Sequence, residues 1–328
     1  MAPNMIAFFM GAVSPQVATA CHLLGYHHTM GRCLLGLALL ASACSAKLAD
    51  LPGEIADDAN TGIDASTSTD DGAIEPDAYV LGAWGSATKL TGASSPAVAE
   101  DDPTLSSTAL ELVFAVQGAN GKDLYYASRT ATSAAWSSPV PLALNLTTST
   151  EETPRFTADD LTLYFASDRI TANGLDIYRI TRPTVGGPWS APAPVAGPNT
   201  TANEKWFAPC TGGRYLVILG GDIAQGTLGA GAPAVVASLS AVAPASETGT
   251  FLTPDCLTAY FASTRSGANR IYTSTRAAVT DPWPVPTLVS DFLAIGGNQE
   301  DPWVSPDQRT FLLASDVSGT KDVYFSVR

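Results

Sequence analysis

Five acidic residues recur at matched places along this 328-residue chain: Asp102, Glu151, Glu204, Glu247 and Asp301. Each stands one or three residues before a proline, or before the residue in the proline's place, at the start of a short segment. The segments are DDPTLS, EETPRF, EKWFAP, ETGTFLTPD and EDPWVS. Side chains two apart share a face in a regular strand, so side-by-side segments would bring the five carboxylates into one ring. Like charges held together raise one another's pKa or draw in a cation or basic group. Such a ring presents the oxygen ligands that Ca²⁺ takes, although the chain has no Asp-rich calcium loop. Two carboxylates are also enough to cleave a glycosidic bond. The other outcome is that each acid bonds loop amides of its own or the next repeat.

Several chemistries are excluded by composition. All three histidines (His22, His27, His28) and all four methionines lie at or before Met30. The body of the chain therefore cannot build a Ser-His-Asp or Cys-His pair, or a His-ligated zinc or iron site. A net charge of −14 argues against a nucleic-acid partner, because phosphate binding needs clustered Lys and Arg. The stretch TLYFASDRITANGLDIYRITR gathers Asp168, Arg169, Asp176, Tyr178 and Arg179. However, Asp168 is matched by Asp316, and Asp176 by Asp123 and Asp322. A catalytic group is needed once, whereas a turn residue that bonds its own backbone is needed in every repeat. Trp206 and Trp303, near the same strand starts, either stack on a sugar or pack between repeats. Cys210 and Cys256 fall at equivalent turns of successive repeats. They are a candidate disulfide for an oxidising compartment if the spacing of neighbouring repeats does not exceed the short reach that such a bond allows.

The elements that would position these residues come from internal repetition. LELVFAVQGANGKDLYYASRT, LTLYFASDRITANGLDIYRITR, LTAYFASTRSGANRIYTSTR and RTFLLASDVSGTKDVYFSVR each read as strand, turn, strand. Phe114, Phe165, Phe261 and Leu313 are equivalent, as are Tyr125, Tyr178, Tyr272 and Tyr324. The spacing is about 51 to 53 residues, with one gap of about 95 that must hold a further copy. That copy reads as RYLVILGGD (214–222) followed by AVVASLS (234–240). A short acidic strand precedes each hairpin, and Trp-containing segments such as GPWSAPAPV follow, which makes four strands per unit. This is one propeller blade. The last unit stops at Arg328 after three strands, and GAWGSATKL around Trp84 supplies the fourth. The expected fold is all-β: a β-propeller of five blades of four antiparallel strands, closed by an N-terminal strand that hides the open edges.

These units resemble the WD40-like repeat of TolB-type β-propellers, through Pro302–Asp307 with Asp322–Tyr324 and through Thr253–Asp255 with Ile271–Tyr272. The likeness spans residues 79–328 and implies a fold more than an activity. Five-bladed propellers include arabinan-degrading glycosidases, but those use three distinct acidic positions, whereas these acids repeat at one.

The chain ahead of the repeats divides in three. Residues 1–29 read as a leader outside the mature protein. Residues 30–43 read as a secretory signal, MGRCLLGLALLASA, with one arginine and an apolar run too short to span a bilayer. Small residues directly before Cys44 resemble the bacterial lipobox, which implies lipidation of Cys44, and Ser45 after it implies the outer membrane. Cleavage near Ala43 without a lipid is the other reading. Between Asp50 and Asp77 stand nine carboxylates and no Lys or Arg, so residues 44–77 read as a disordered acidic tether to a 78–328 domain. The function expected is a lipid-anchored extracytoplasmic module that binds a protein or peptide and needs no cofactor. A glycan-binding or glycan-cleaving propeller is the alternative.

Overall fold

The computed structural model describes residues 81–92, 98–170 and 174–328, within a compact unit spanning Ile74–Arg328. The segments read as leader, signal and tether, with Cys44, lie outside the described residues.

Five four-stranded antiparallel sheets make five blades. Blade 1 is Glu100–Leu105, Glu111–Gln117, Lys122–Ser128 and Val140–Pro141. Blade 2 is Glu151–Phe156, Thr162–Ser167, Asp176–Thr181 and Ala193–Pro194. Blade 3 is Glu204–Pro209, Arg214–Leu219, Asp222–Thr227 and Ala234–Val235. Blade 4 is Glu247–Leu252, Thr258–Ser263, Arg270–Thr275 and Thr287–Leu288. Blade 5 is Gln299–Val304, Thr310–Ser315 and Asp322–Val327, completed by Thr88–Lys89 from the other end of the domain. The N-terminal closing strand is thus where the truncated last repeat required it.

The repeated aromatics are cross-strand neighbours: Phe114 faces Tyr125, Phe165 faces Tyr178, Phe261 faces Tyr272 and Leu313 faces Tyr324. Such pairs stabilise a ladder through same-face contact, and three of them keep their rings within 6.4 Å. Blade 3 differs in detail from its sequence reading. Its third strand is Asp222–Thr227, joined to the second by Gly220 and Gly221 at φ of 63° and 97°. AVVASLS supplies only the fourth strand. The two glycines allow the tight primed turn that a two-residue hairpin needs. Ala224 stands where the other blades carry tyrosine, which removes the aromatic that marks the strand.

In four of the five blades a second repeat ties the third strand to the turn after the inner strand. Arg129, Arg182, Arg276 and Arg328 lie 3.9–4.4 Å over Trp136, Trp189, Trp283 and Trp84. Their Nε atoms donate to the carbonyls of Ala109, Asp160, Cys256 and Gln308. Each clasp joins a cation–π contact to a charged hydrogen bond. Blade 3 lacks the arginine, and there Cys210 and Cys256 are bonded, with Cα atoms 5.4 Å apart. Thr211 N also donates to Pro254 O of the next blade.

Candidate functional site

The inner strands line the central channel, and each carries a register shift at its third residue. Asp102, Thr153, Trp206, Gly249 and Asp301 occupy that place with φ of 50–56°. This is a β-bulge, which leaves one residue unpaired and re-aims its side chain. It also breaks the regular alternation on which the five-carboxylate ring depended. Residues one and three before the proline do not share a face here, and the five acids separate into two groups.

Glu151, Glu204 and Glu247 turn away into their own blades. Glu151 accepts from Ser149 Oγ (2.5 Å), Ser167 Oγ (2.9 Å), Leu146 N (3.1 Å) and Arg169 Nη2 (3.2 Å). Glu247 accepts from Ser263 Oγ (2.8 Å), Arg265 Nη2 (3.0 Å) and Ala241 N (3.1 Å). Glu204 has lost the serine and arginine, because Leu219 and the glycine turn replace them. It accepts from Thr200 Oγ1, and its Oε2 has no hydrogen-bond donor. Burial raises its pKa against the Thr200 bonds that lower it. In blade 5 Gln299 takes this place and donates to Phe292 O at 2.6 Å. These acids hold loops to strands. Asp168 and Asp316 do the same, accepting from the amides of Thr150 and Asn298 at 2.7 Å.

Asp102 and Asp301 do meet. Trp206 Nε1 donates to Asp102 Oδ1 at 2.7 Å and to Asp301 Oδ1 at 2.8 Å, and Asp102 N donates to Asp301 Oδ2 at 3.3 Å. The two aspartates are 3% and 1% exposed. Burial, then the Asp102 charge, pushes Asp301 well above the usual carboxylate range. Burial also raises Asp102, but the Lys122 charge, the bond with Asp301 and the Lys321 charge outweigh it and hold it low. The two carboxyl groups are thus pushed in opposite directions while sharing one indole N–H.

Around this centre the channel mouth alternates charges. Lys122 Nζ donates to Asp101 (2.8 Å) and Asp102 (3.1 Å) and pairs with Glu152 at 3.1 Å. Lys205 meets Glu152 at 2.7 Å, and Lys321 meets Asp101 at 3.4 Å and Glu300. Burial and the Asp102 charge lift Asp101 to about 7 despite Lys122. Ammonium groups fill the places that a metal cation would take between these carboxylates. Among the described residues no group of three or more His, Cys, Asp or Glu is arranged to hold a metal ion.

One layer further along the channel stands a residue that sequence reasoning missed. Arg155, 5% exposed, reaches across from blade 2 so that Nη2 donates to Thr250 O (3.2 Å) and Pro302 O (3.4 Å). Burial lowers its pKa to about 10, against the charges of Asp102 and Asp301, which leaves it protonated at neutral pH. It shares this layer with Thr104, Ala208, Phe251 and Trp303, and its guanidinium carbon lies 5.2 Å from the Phe251 ring centre. Below them the channel opens into a cavity of about 270 Å³ whose walls include Leu105, Phe156, Leu252, Val304 and the Cys210 turn. Trp303 packs edge-on against Phe251 at 6.3 Å, while half-buried Trp206 spans the channel above. The one signal for Arg155 was its place, two residues past the bulge, where the other blades carry Thr, Ala, Phe and Trp.

No protein-family model matches the chain, and no curated protein is similar to it in sequence. Solved structures are similar in fold. An endo-arabinase from Bacteroides thetaiotaomicron is 12% identical with a TM-score of 0.53, covering 71% of this chain and 95% of that one. The α-L-arabinofuranosidase PaAbf62A from Podospora anserina is 13% identical with a TM-score of 0.49, covering 75% and 96%. TolB from Acinetobacter baumannii is 12% identical with a TM-score of 0.41, covering 70% and 54%. At such identities the likeness is one of fold, and a propeller carries many unrelated activities.

Proposed function

We propose that the chain is a non-enzymatic binding propeller, held outside the cytoplasm by a lipid on Cys44 at the outer membrane, that takes a protein or peptide at one end of its channel. The observation that carries this is the Asp102–Trp206–Asp301 bridge. Glycoside cleavage needs an acid and a second carboxylate with the scissile oxygen between them. Here the indole nitrogen is bonded to both nearest carboxylates, and the remaining mouth acids are matched by lysines. Charges already paired and buried favour a rigid platform over a proton-transfer site.

A hydrolysis screen over arabinans and other glycans is expected to show no turnover. Turnover that disappears in Asp102→Asn would establish the glycosidase reading in place of this one. Fractionation tests the anchor separately. Cys44→Ala is expected to move the protein from membrane to soluble fraction, and retention in the membrane would remove the lipid from the proposal.

A further inference from the structure

The two ends of the channel differ in kind. The mouth is a network of paired lysines and carboxylates, whereas the opposite end is an apolar funnel with one cation at its narrow end. Two of the three guanidinium nitrogens of Arg155, Nε and Nη1, meet no acceptor among the described residues. An unpartnered buried N–H costs about 1–3 kcal/mol, more for a charged group, and guanidinium matches a carboxylate through two parallel bonds. The one carboxylate on the funnel wall, Asp159, is engaged by its own turn, accepting from Thr157 Oγ1 at 2.6 Å and Leu161 N at 3.0 Å.

We infer that this funnel binds the C-terminus of a partner polypeptide, its free carboxylate on Arg155 and its last, large apolar side chain against Phe251, Trp303 and Leu105. The inference rests on the binding function proposed above and names the ligand of that site. Volume points the same way. About 270 Å³ falls below the roughly 300–1,000 Å³ of sites for drug-sized ligands and suits a single terminal residue. Capture of a chain terminus is an established recognition mode. The funnel is also pre-formed: its rim is fixed by the Cys210–Cys256 bond and by the turns that the arginine clasps hold. Little ordering entropy is then lost when a ligand seats.

The test uses the chain beginning at Ser45, which keeps every described residue. The probes are fluorescein-labelled hexapeptides ending in Leu, Phe or Trp, each as free acid and as C-terminal amide, followed by fluorescence polarisation. Free acids are expected to bind at least tenfold more tightly than their amides, and peptides ending in Asp or Lys to bind more weakly still. Arg155→Gln is expected to abolish the acid–amide difference. Should that variant fail to fold, Ala158→Trp covers the exposed rim of the funnel with Arg155 intact and is expected to block binding. Equal binding of acids and amides, or full binding by folded Arg155→Gln, overturns the inference. Peptide binding that is indifferent to both funnel variants but lost in Lys205→Glu overturns it while leaving the broader binding function standing.

Discussion

The three glutamates that leave the channel allow a controlled comparison, because they occupy one position in three blades with different partners. Glu151 and Glu247 each receive a serine hydroxyl and an arginine, whereas Glu204 receives Thr200 alone and leaves Oε2 without a donor. Replacing each by glutamine keeps the shape and removes the charge. At positions 151 and 247 the arginine loses a charged hydrogen bond worth about 1.5–3 kcal/mol, so a loss of about 2 kcal/mol follows. At 204 the variant removes a buried carboxylate whose charged form is poorly solvated, and Gln299 shows that the fold accepts an amide at this place. A gain of about 1 kcal/mol is expected there, at the low end of the cost of an unsatisfied buried group. For a domain of this size 1 kcal/mol corresponds to roughly 2–4 °C in Tm.

Linkage gives the sign with pH. An acid whose folded pKa is raised above its unfolded value stabilises fully below the unfolded value, and that contribution is lost as pH rises through the folded one. Glu204→Gln should therefore raise Tm at pH 7.5 and change it little at pH 4. Melting curves of the three variants at both values provide the assay. If Glu204→Gln costs as much at pH 7.5 as Glu151→Gln, the reasoning about its missing partners is wrong.

Three further outcomes follow from contacts between blades. Trp206→Phe removes the N–H shared by Asp102 and Asp301 and should cost about 3 kcal/mol in urea unfolding, since both acceptors lose a donor at once; an unchanged midpoint would show that the bridge contributes nothing. Arg182 donates to both oxygens of Glu111 across blades 1 and 2, at 2.8 and 2.6 Å, so Arg182→Met should cost about 3–5 kcal/mol by leaving a buried charge unpaired. Adding Glu111→Gln should recover part of that loss in the same measurement. Reducing the Cys210–Cys256 bond frees a 46-residue separation and should lower stability by about 4 kcal/mol on the chain-entropy account, read as a drop in Tm with dithiothreitol.

Much of the fold was legible because its defining contacts are short in sequence. Phe165 and Tyr178 pair within one hairpin, so their repetition carries the blade in the sequence itself. Blade 3 was harder to read, since Ala224 lacks the aromatic that marks its strand in the other blades. The site was less legible still. Asp102 and Asp301 could be named, but so could Glu151, Glu204 and Glu247, which do other work. Arg155 is set apart from a solvent-facing arginine only by its place in the repeat, two residues past the bulge.

The sequence by itself determined the number of blades, the strands within them and the way the ring closes, because those depend on alternation and repetition between near neighbours. It also determined what chemistry was excluded, since a chain body without histidine cannot build a histidine-dependent site. Only the tertiary structure decided which acids meet. That outcome turns on a single unpaired residue in each inner strand, which reverses the face on which the preceding side chains lie. It turns also on ring closure, which joins Asp102 to Asp301 across 199 residues and to Trp206 across 104. A contact of that span leaves no period in the sequence, because its geometry is set by all five blades at once.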